Sequence, residues 1–169
     1  MDIETERLLI RKLEKKDASD YFEIFGNPEI SKYDDFSPIQ KTEAEQNIHD
    51  IIEAYKNEEL EKEFGVVLKS EEKIIGVLYL KLENDSWFTG YHFNEKYHGK
   101  GYAAEAVSAF LKDLENRSGR QIRAIVDPDN KPSIKLLEKL SFEFMEQKSR
   151  EKNGKIINES FYRKNKNLR

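Results

Sequence analysis

The stretch Lys96-Tyr97-His98-Gly99-Lys100-Gly101-Tyr102-Ala103-Ala104-Glu105-Ala106 constrains the fold more than any other, because two glycines stand between a strand-type run and a helix-type run. Upstream, Trp87-Phe88-Thr89-Gly90-Tyr91-His92-Phe93 is aromatic and apolar enough to read as a strand. Downstream, Ala103, Ala106, Val107, Phe110, Leu111 and Leu114 recur near 3.6 residues and predict a helix over 102–116, ended by Gly119. Glycine lets the backbone curl without Cβ clashes, so the N–H groups of residues 99–104 can converge on an anion at the positive end of that helix. A glycine turn before a helix also serves simply as a cap, and the spacing alone does not separate the two readings.

The rest of the chain alternates in period. Residues 5–13 read as a strand, and 15–26 as a helix with Tyr21, Phe22, Ile24 and Phe25 on one side, stopped by Gly26-Asn27-Pro28. A loop holding Asp34, Asp35 and Phe36 leads to an amphipathic helix over 41–59. Short runs at 64–68, 74–80 and 87–93, separated by polar turns, predict an antiparallel meander. Beyond the helix at 102–116 come a strand at 121–126, a short helix at 132–140, and strands at 142–149 and 156–164 joined through Asn153-Gly154, a strong hairpin signal. No repeat or linker interrupts the 169 residues, so the expectation is one α/β domain over 1–169: a mixed, mostly antiparallel sheet of about seven strands with about four helices.

Composition narrows the chemistry. Cysteine is absent, which removes thiolate nucleophiles and thiolate metal sites, and His49, His92 and His98 stand at no zinc-like spacing, so no metal is expected. No apolar run approaches the ~20 residues of a membrane span, and Met1-Asp2-Ile3-Glu4 is the reverse of a cationic leader, so the reading is a cytoplasmic protein without a membrane partner. The net charge of −4 argues against direct nucleic-acid binding. It is unevenly spread: residues 1–63 carry 9 cationic against 18 acidic side chains, and residues 148–169 carry 8 against 2. These blocks read as solvated faces, although an acidic first third would also favour a cationic amine.

Three phosphate-loop readings compete for 99–104. The Walker pattern fails because no glycine lies five residues before a Gly-Lys-Ser/Thr. The dinucleotide fingerprint is matched literally by Gly99-x-Gly101-x-x-Ala104, with Asp127 ending the next strand, which would make the chain a nicotinamide-dependent oxidoreductase. Against it, Glu95-Lys96-Tyr97-His98 intervene between strand and glycine, and a meander precedes where βα units are expected.

The third reading covers nearly the whole chain. Lys96-Tyr97-His98-Gly99-Lys100-Gly101 resembles the pyrophosphate loop of the GNAT N-acetyltransferases, Gln/Arg-x-x-Gly-x-Gly/Ala, with lysine in the first position. Asn130-Lys131-Pro132-Ser133-Ile134-Lys135-Leu136-Leu137-Glu138-Lys139-Leu140-Ser141-Phe142 resembles the later signature of that family, with Ser141 where glycine is usual. The opening Glu4-Thr5-Glu6-Arg7-Leu8-Leu9-Ile10-Arg11 is similar to the branch that acetylates the N-termini of ribosomal proteins.

That resemblance implies acetyl-CoA as acetyl donor, lying between the strand at 87–93 and the strand at 121–126. It would be held by Phe93 and Asn94, by His98, Gly99, Lys100, Gly101, Tyr102, Ala103 and Ala104 around the pyrophosphate, and by Asn130 beside the cofactor arm. It also implies Ser133 as the group that protonates the departing thiolate, although its spacing fits a plain first-turn helix residue equally; many relatives carry a tyrosine on this helix as the acid, and Leu137 at that position here leaves the identity of the acid open. Glu29, Asp34 and Asp35 are candidates for holding an ammonium group, and His92 is either a base or a packing residue. The acceptor is an amine, either a protein N-terminus or a small molecule such as a polyamine, amino acid or antibiotic. A CoA-binding module without transferase activity is the further alternative, and the sequence leaves the oligomeric state open.

Overall fold

Short polar turns make consecutive strands pair antiparallel. In the computed structural model, which describes residues 2–56 and 61–165, this holds for β1 (Ile3–Glu4), β2 (Leu8–Arg11), β3 (Glu61–Leu68), β4 (Lys73–Glu83) and β5 (Ser86–Phe93). Between β2 and β3 the chain forms α1 (Ala18–Phe25) and α2 (Lys41–Ala54), and after β5 it forms α3 (Tyr102–Arg117). The crossover through α3 brings β6 (Gln121–Val126) back parallel to β5. Then α4 (Lys131–Lys139) leads to the hairpin of β7 (Phe142–Lys152) and β8 (Lys155–Lys164), and β8 inserts beside β6, giving the order β1-β2-β3-β4-β5-β6-β8-β7. The hairpin turns on Asn153 (φ 53°) and Gly154 (φ 75°), the pair of positive angles that the Asn-Gly signal anticipates.

The mixed, mostly antiparallel sheet matches the expectation, with four α-helices and eight strands instead of seven among the described residues. The extra strand is β1, two residues long and too short to carry a period. The strand expected over 5–13 contracts to Leu8–Arg11, because a turn closed by Thr5 N–H on Leu8 O (2.9 Å) precedes it. The helix expected over 15–26 begins as a 3-10 turn at Lys15–Asp17, and that expected over 41–59 is helical to Ala54, with 57–59 outside the described residues. α3 ends at Ser118, which is extended (φ −145°), so Gly119 does not terminate it.

Helices cover both faces of the sheet. Val107, Phe110 and Leu111 of α3 pack on Leu8, Ile10, Val66 and Leu78, and Tyr21, Ile24, Ala44 and Ile48 of α1 and α2 pack on Val67, Ile74 and Val77. Burial from both sides explains why 64–68 and 74–78 are unbroken apolar runs instead of alternating ones. The 3-10 turn is tied to β2 by Arg11, whose two terminal nitrogens donate to the two oxygens of buried Asp17 at 2.7 and 2.9 Å. Among the described residues no helix is long and apolar enough to cross a membrane.

Candidate active site

β5 and β6 part company partway along. They pair only at Ser86↔Gln121, Trp87↔Ile122 and Phe88↔Arg123. Beyond that point β5 stays on β4 as far as Phe93↔Gly76 while β6 follows β8 as far as Val126↔Ser160, so the two diverge. The gap opens into a cleft of about 740 Å³ walled by the ends of both strands, the glycine loop, the start of α4, the loop after α1 and the β7–β8 hairpin. Asn94 N–H donates to Ile75 O, so the antiparallel alternation turns the backbone groups of Tyr91 and Phe93 toward the gap. Phe93 O already accepts from His98 Nε2 (2.9 Å), which pins the strand end to the loop.

The loop forms an anion cradle from backbone alone. Gly99 (φ 74°) and Gly101 (φ 81°) are both left-handed, and Gly101 is the N-cap of α3. A Cβ at Gly99 would meet nothing, so the backbone angle, not space, demands glycine there. Among the described residues, no N–H from 99 to 104 has a protein acceptor. Such unsatisfied donors at the positive end of a 16-residue helix fit a pyrophosphate.

Across the cleft, Asn130 caps α4 by accepting from Ser133 N–H (3.2 Å), which fixes the Ser133 side chain at the cleft wall. Its hydroxyl lies 2.8 Å from the Tyr91 hydroxyl. Burial raises the Tyr91 phenol above its ordinary value, against a smaller opposing effect of the Ser133 hydrogen bond, so the phenol keeps its proton at neutral pH. Leu137 is buried in the core.

At the other end, the loop after α1 is tied down on two sides. Asp34 Oδ2 lies 3.0 Å from His92 Nε2, and Asp35 Oδ2 accepts from Arg150 and Lys152 at 2.8 Å each. Those two cations hold the Asp35 carboxyl below the usual range. Arg150 also donates to Glu159 at 2.8 Å, and the His92 ring meets Phe25 and Phe36 edge-on, with centroids at 5.2 and 5.5 Å.

Of the residues singled out from sequence, Ser133, Phe93, His98, Gly99, Gly101, Tyr102, Ala103, Ala104 and Asn130 line this cleft, together with Glu29, Asp34, Asp35 and His92. Asn94 and Lys100 do not. Asn94 is buried, with its N–H on Ile75 and its side chain accepting from Lys96 N–H. The Lys100 ammonium lies over the Tyr97 ring, 5.4 Å from its centroid. Sequence reasoning missed Tyr91 and Glu159; for Tyr91 a signal existed, since it shares a strand face with Phe93 at spacing two.

The acetyltransferase (GNAT) domain description matches residues 7–143. An uncharacterised N-acetyltransferase of Bacillus licheniformis is 32% identical over 143 residues, covering 82% of this chain and 80% of that protein. A GNAT-family acetyltransferase from Bacillus anthracis superposes with a TM-score of 0.85 at 29% identity, covering 96% of this chain and 97% of that one. The ribosomal-protein-S5-alanine acetyltransferase from Vibrio fischeri shares the fold, with a TM-score of 0.82 at 22% identity and coverage of 97% and 96%. A cradle of unsatisfied amides beside a splayed sheet is thus found on a chain that belongs to the GNAT family of acetyltransferases.

Proposed function

We propose that this N-acetyltransferase moves the acetyl group of acetyl-CoA to the α-amine of a polypeptide N-terminus by direct attack. The observation that carries the reading is the row of unsatisfied N–H groups at 99–104 opening onto the same cleft as the Tyr91–Ser133 pair. Gly99, Gly101, Tyr102, Ala103 and Ala104 would hold the pyrophosphate, and the Phe93 backbone and Asn130 would flank the arm. Acetyl-CoA supplies the activated thioester. The attacking nitrogen forms the amide bond as the C–S bond breaks, so the nitrogen loses a proton and the sulfur gains one.

Ser133 and Tyr91 form a relay that delivers the proton to sulfur, with the buried phenol keeping its hydrogen until needed. His92, oriented by Asp34, receives the proton from the amine, and Glu159 and Glu29 face the incoming ammonium. Holding the two reactants in contact contributes much of the acceleration in such a transfer. A polypeptide acceptor is supported by the opening motif at 4–11 and by the ribosomal-protein acetyltransferases among the similar folds.

The test is thiol release from acetyl-CoA with a panel of peptides, polyamines, amino acids and aminoglycosides. The reading expects the highest kcat/KM for a peptide with a free N-terminus. A polyamine or antibiotic preferred over every peptide would replace the acceptor class, and CoA binding without turnover would make the chain a binding module.

A further inference from the structure

The glycine loop is held from behind by residues nearly a hundred positions away. Arg7 Nη1 donates to Lys100 O at 3.0 Å, and Arg7 Nε donates to Glu105 Oε2 at 2.7 Å. The remaining nitrogen, Nη2, lies 2.6 Å from that same oxygen, and the guanidinium stacks 4.4 Å from the centroid of the Tyr102 ring. Arg7 is itself locked. Glu105 Oε1 accepts from the Arg7 N–H at 3.0 Å and from the Thr5 hydroxyl at 2.6 Å. Burial pushes the Glu105 carboxyl up, but the hydrogen bonds from Thr5 and Arg7 outweigh it and hold the group below its ordinary value, so it is ionised at neutral pH.

The peptide geometry gives this clasp a consequence. The C=O of Lys100 and the N–H of Gly101 belong to one planar trans peptide and point in opposite directions. A guanidinium that draws the carbonyl backward therefore turns the Gly101 N–H forward, into the cradle. Gly101 is left-handed and has no Cβ, so little else restricts that plane; the nearest atom a Cβ there would meet is Arg7 Nη2, at 3.5 Å. The opening motif, whose Thr5 and Arg7 touch no acceptor-side residue, thereby gains a physical role.

We infer that Arg7, oriented by Glu105 and Thr5, is a positioning residue that aims the Gly101 N–H at the pyrophosphate of the acyl donor. The inference rests on the acetyl-CoA reading given above. Its test compares the dissociation constants of CoA and of pantetheine, which lacks the pyrophosphate, by thermal-shift titration of the full chain. Arg7→Met and Glu105→Gln should each weaken CoA about tenfold while pantetheine changes less than about twofold, because one charge-assisted hydrogen bond is lost only to the phosphate-bearing ligand. Arg7→Lys should recover only part of the loss, since an ammonium cannot bridge Glu105 and the Lys100 carbonyl as a guanidinium does. Unchanged CoA affinity in Arg7→Met overturns the proposal, as does an equal loss for both ligands, which would mark a merely structural role. A wild-type chain that binds no CoA overturns the acyl-donor reading and the clasp with it, and that failure shows before any substitution is made.

Discussion

The hydroxyls of Tyr91 and Ser133 lie 2.8 Å apart, joining a strand to a helix across the splay of the sheet. A tyrosine is thus present beside the cleft although α4 itself carries none, with Leu137 buried on it. If the two hydroxyls form one relay, either Ser133→Ala or Tyr91→Phe should lower kcat about 10²-fold, as loss of a general acid does. The double variant should fall little further, because members of one proton path are not additive. Steady-state kinetics on the three variants check this, and additive losses would separate the two roles.

Asp35 ties the loop after α1 to the β7–β8 hairpin through Arg150 and Lys152. Asp35→Asn should raise the KM of the best peptide acceptor by about fivefold, the scale of a partly exposed ion pair, and leave the KM of acetyl-CoA unchanged. Because the cations hold this carboxyl below its ordinary value, the latch is complete above the usual carboxylate range and is lost as pH falls through the lowered value. Initial-rate measurements with each substrate varied in turn decide it.

Ser141 sits at φ 65°, just past α4, at the position where the similar motif carries glycine. A left-handed backbone costs an L-residue about 1–2 kcal/mol, so Ser141→Gly should stabilise the protein by roughly 1 kcal/mol. At this chain length that corresponds to a rise in Tm of about 2–4 °C in a calorimetric scan.

Glu63 illustrates the opposite sign of linkage from Asp35. Burial raises its carboxyl, with the Tyr21 hydroxyl hydrogen bond opposing in part. As pH climbs through the ordinary carboxylate range, the unfolded chain gives up this proton before the folded one does, so stability falls until the raised value is passed. Glu63→Gln removes that slope. Thermal melts of both proteins between about pH 4 and 8 should show the variant gaining relative stability as pH rises, whereas parallel curves would contradict the assignment.

Much of the site was legible because its requirements are local. Gly99 and Gly101 announce left-handed angles by being glycine, and Asn153-Gly154 announces its turn. The rest depends on which strand lies beside which. Tyr91 meets Ser133 because β5 and β6 diverge, and Asp35 meets Arg150 because β8 inserts between β6 and β7. Arg7 reaches Glu105 across 98 positions. Periodicity assigns a residue to a face but does not say what the face will touch. The two expected contacts that do not line the cleft have the same origin. Asn94 follows the strand alternation onto Ile75, and Lys100 folds back over Tyr97 while its carbonyl is taken by Arg7.

Thermal unfolding with acetyl-CoA, CoA and NAD in parallel shows whether the amides of 99–104 hold a CoA pyrophosphate. A ligand that binds only the native state, at about 100 times its dissociation constant, stabilises by about 2.7 kcal/mol, which here corresponds to roughly 5–10 °C. Acetyl-CoA and CoA should each give such a rise and NAD none. A rise with NAD alone, or with none of the three, would contradict that role of the amides.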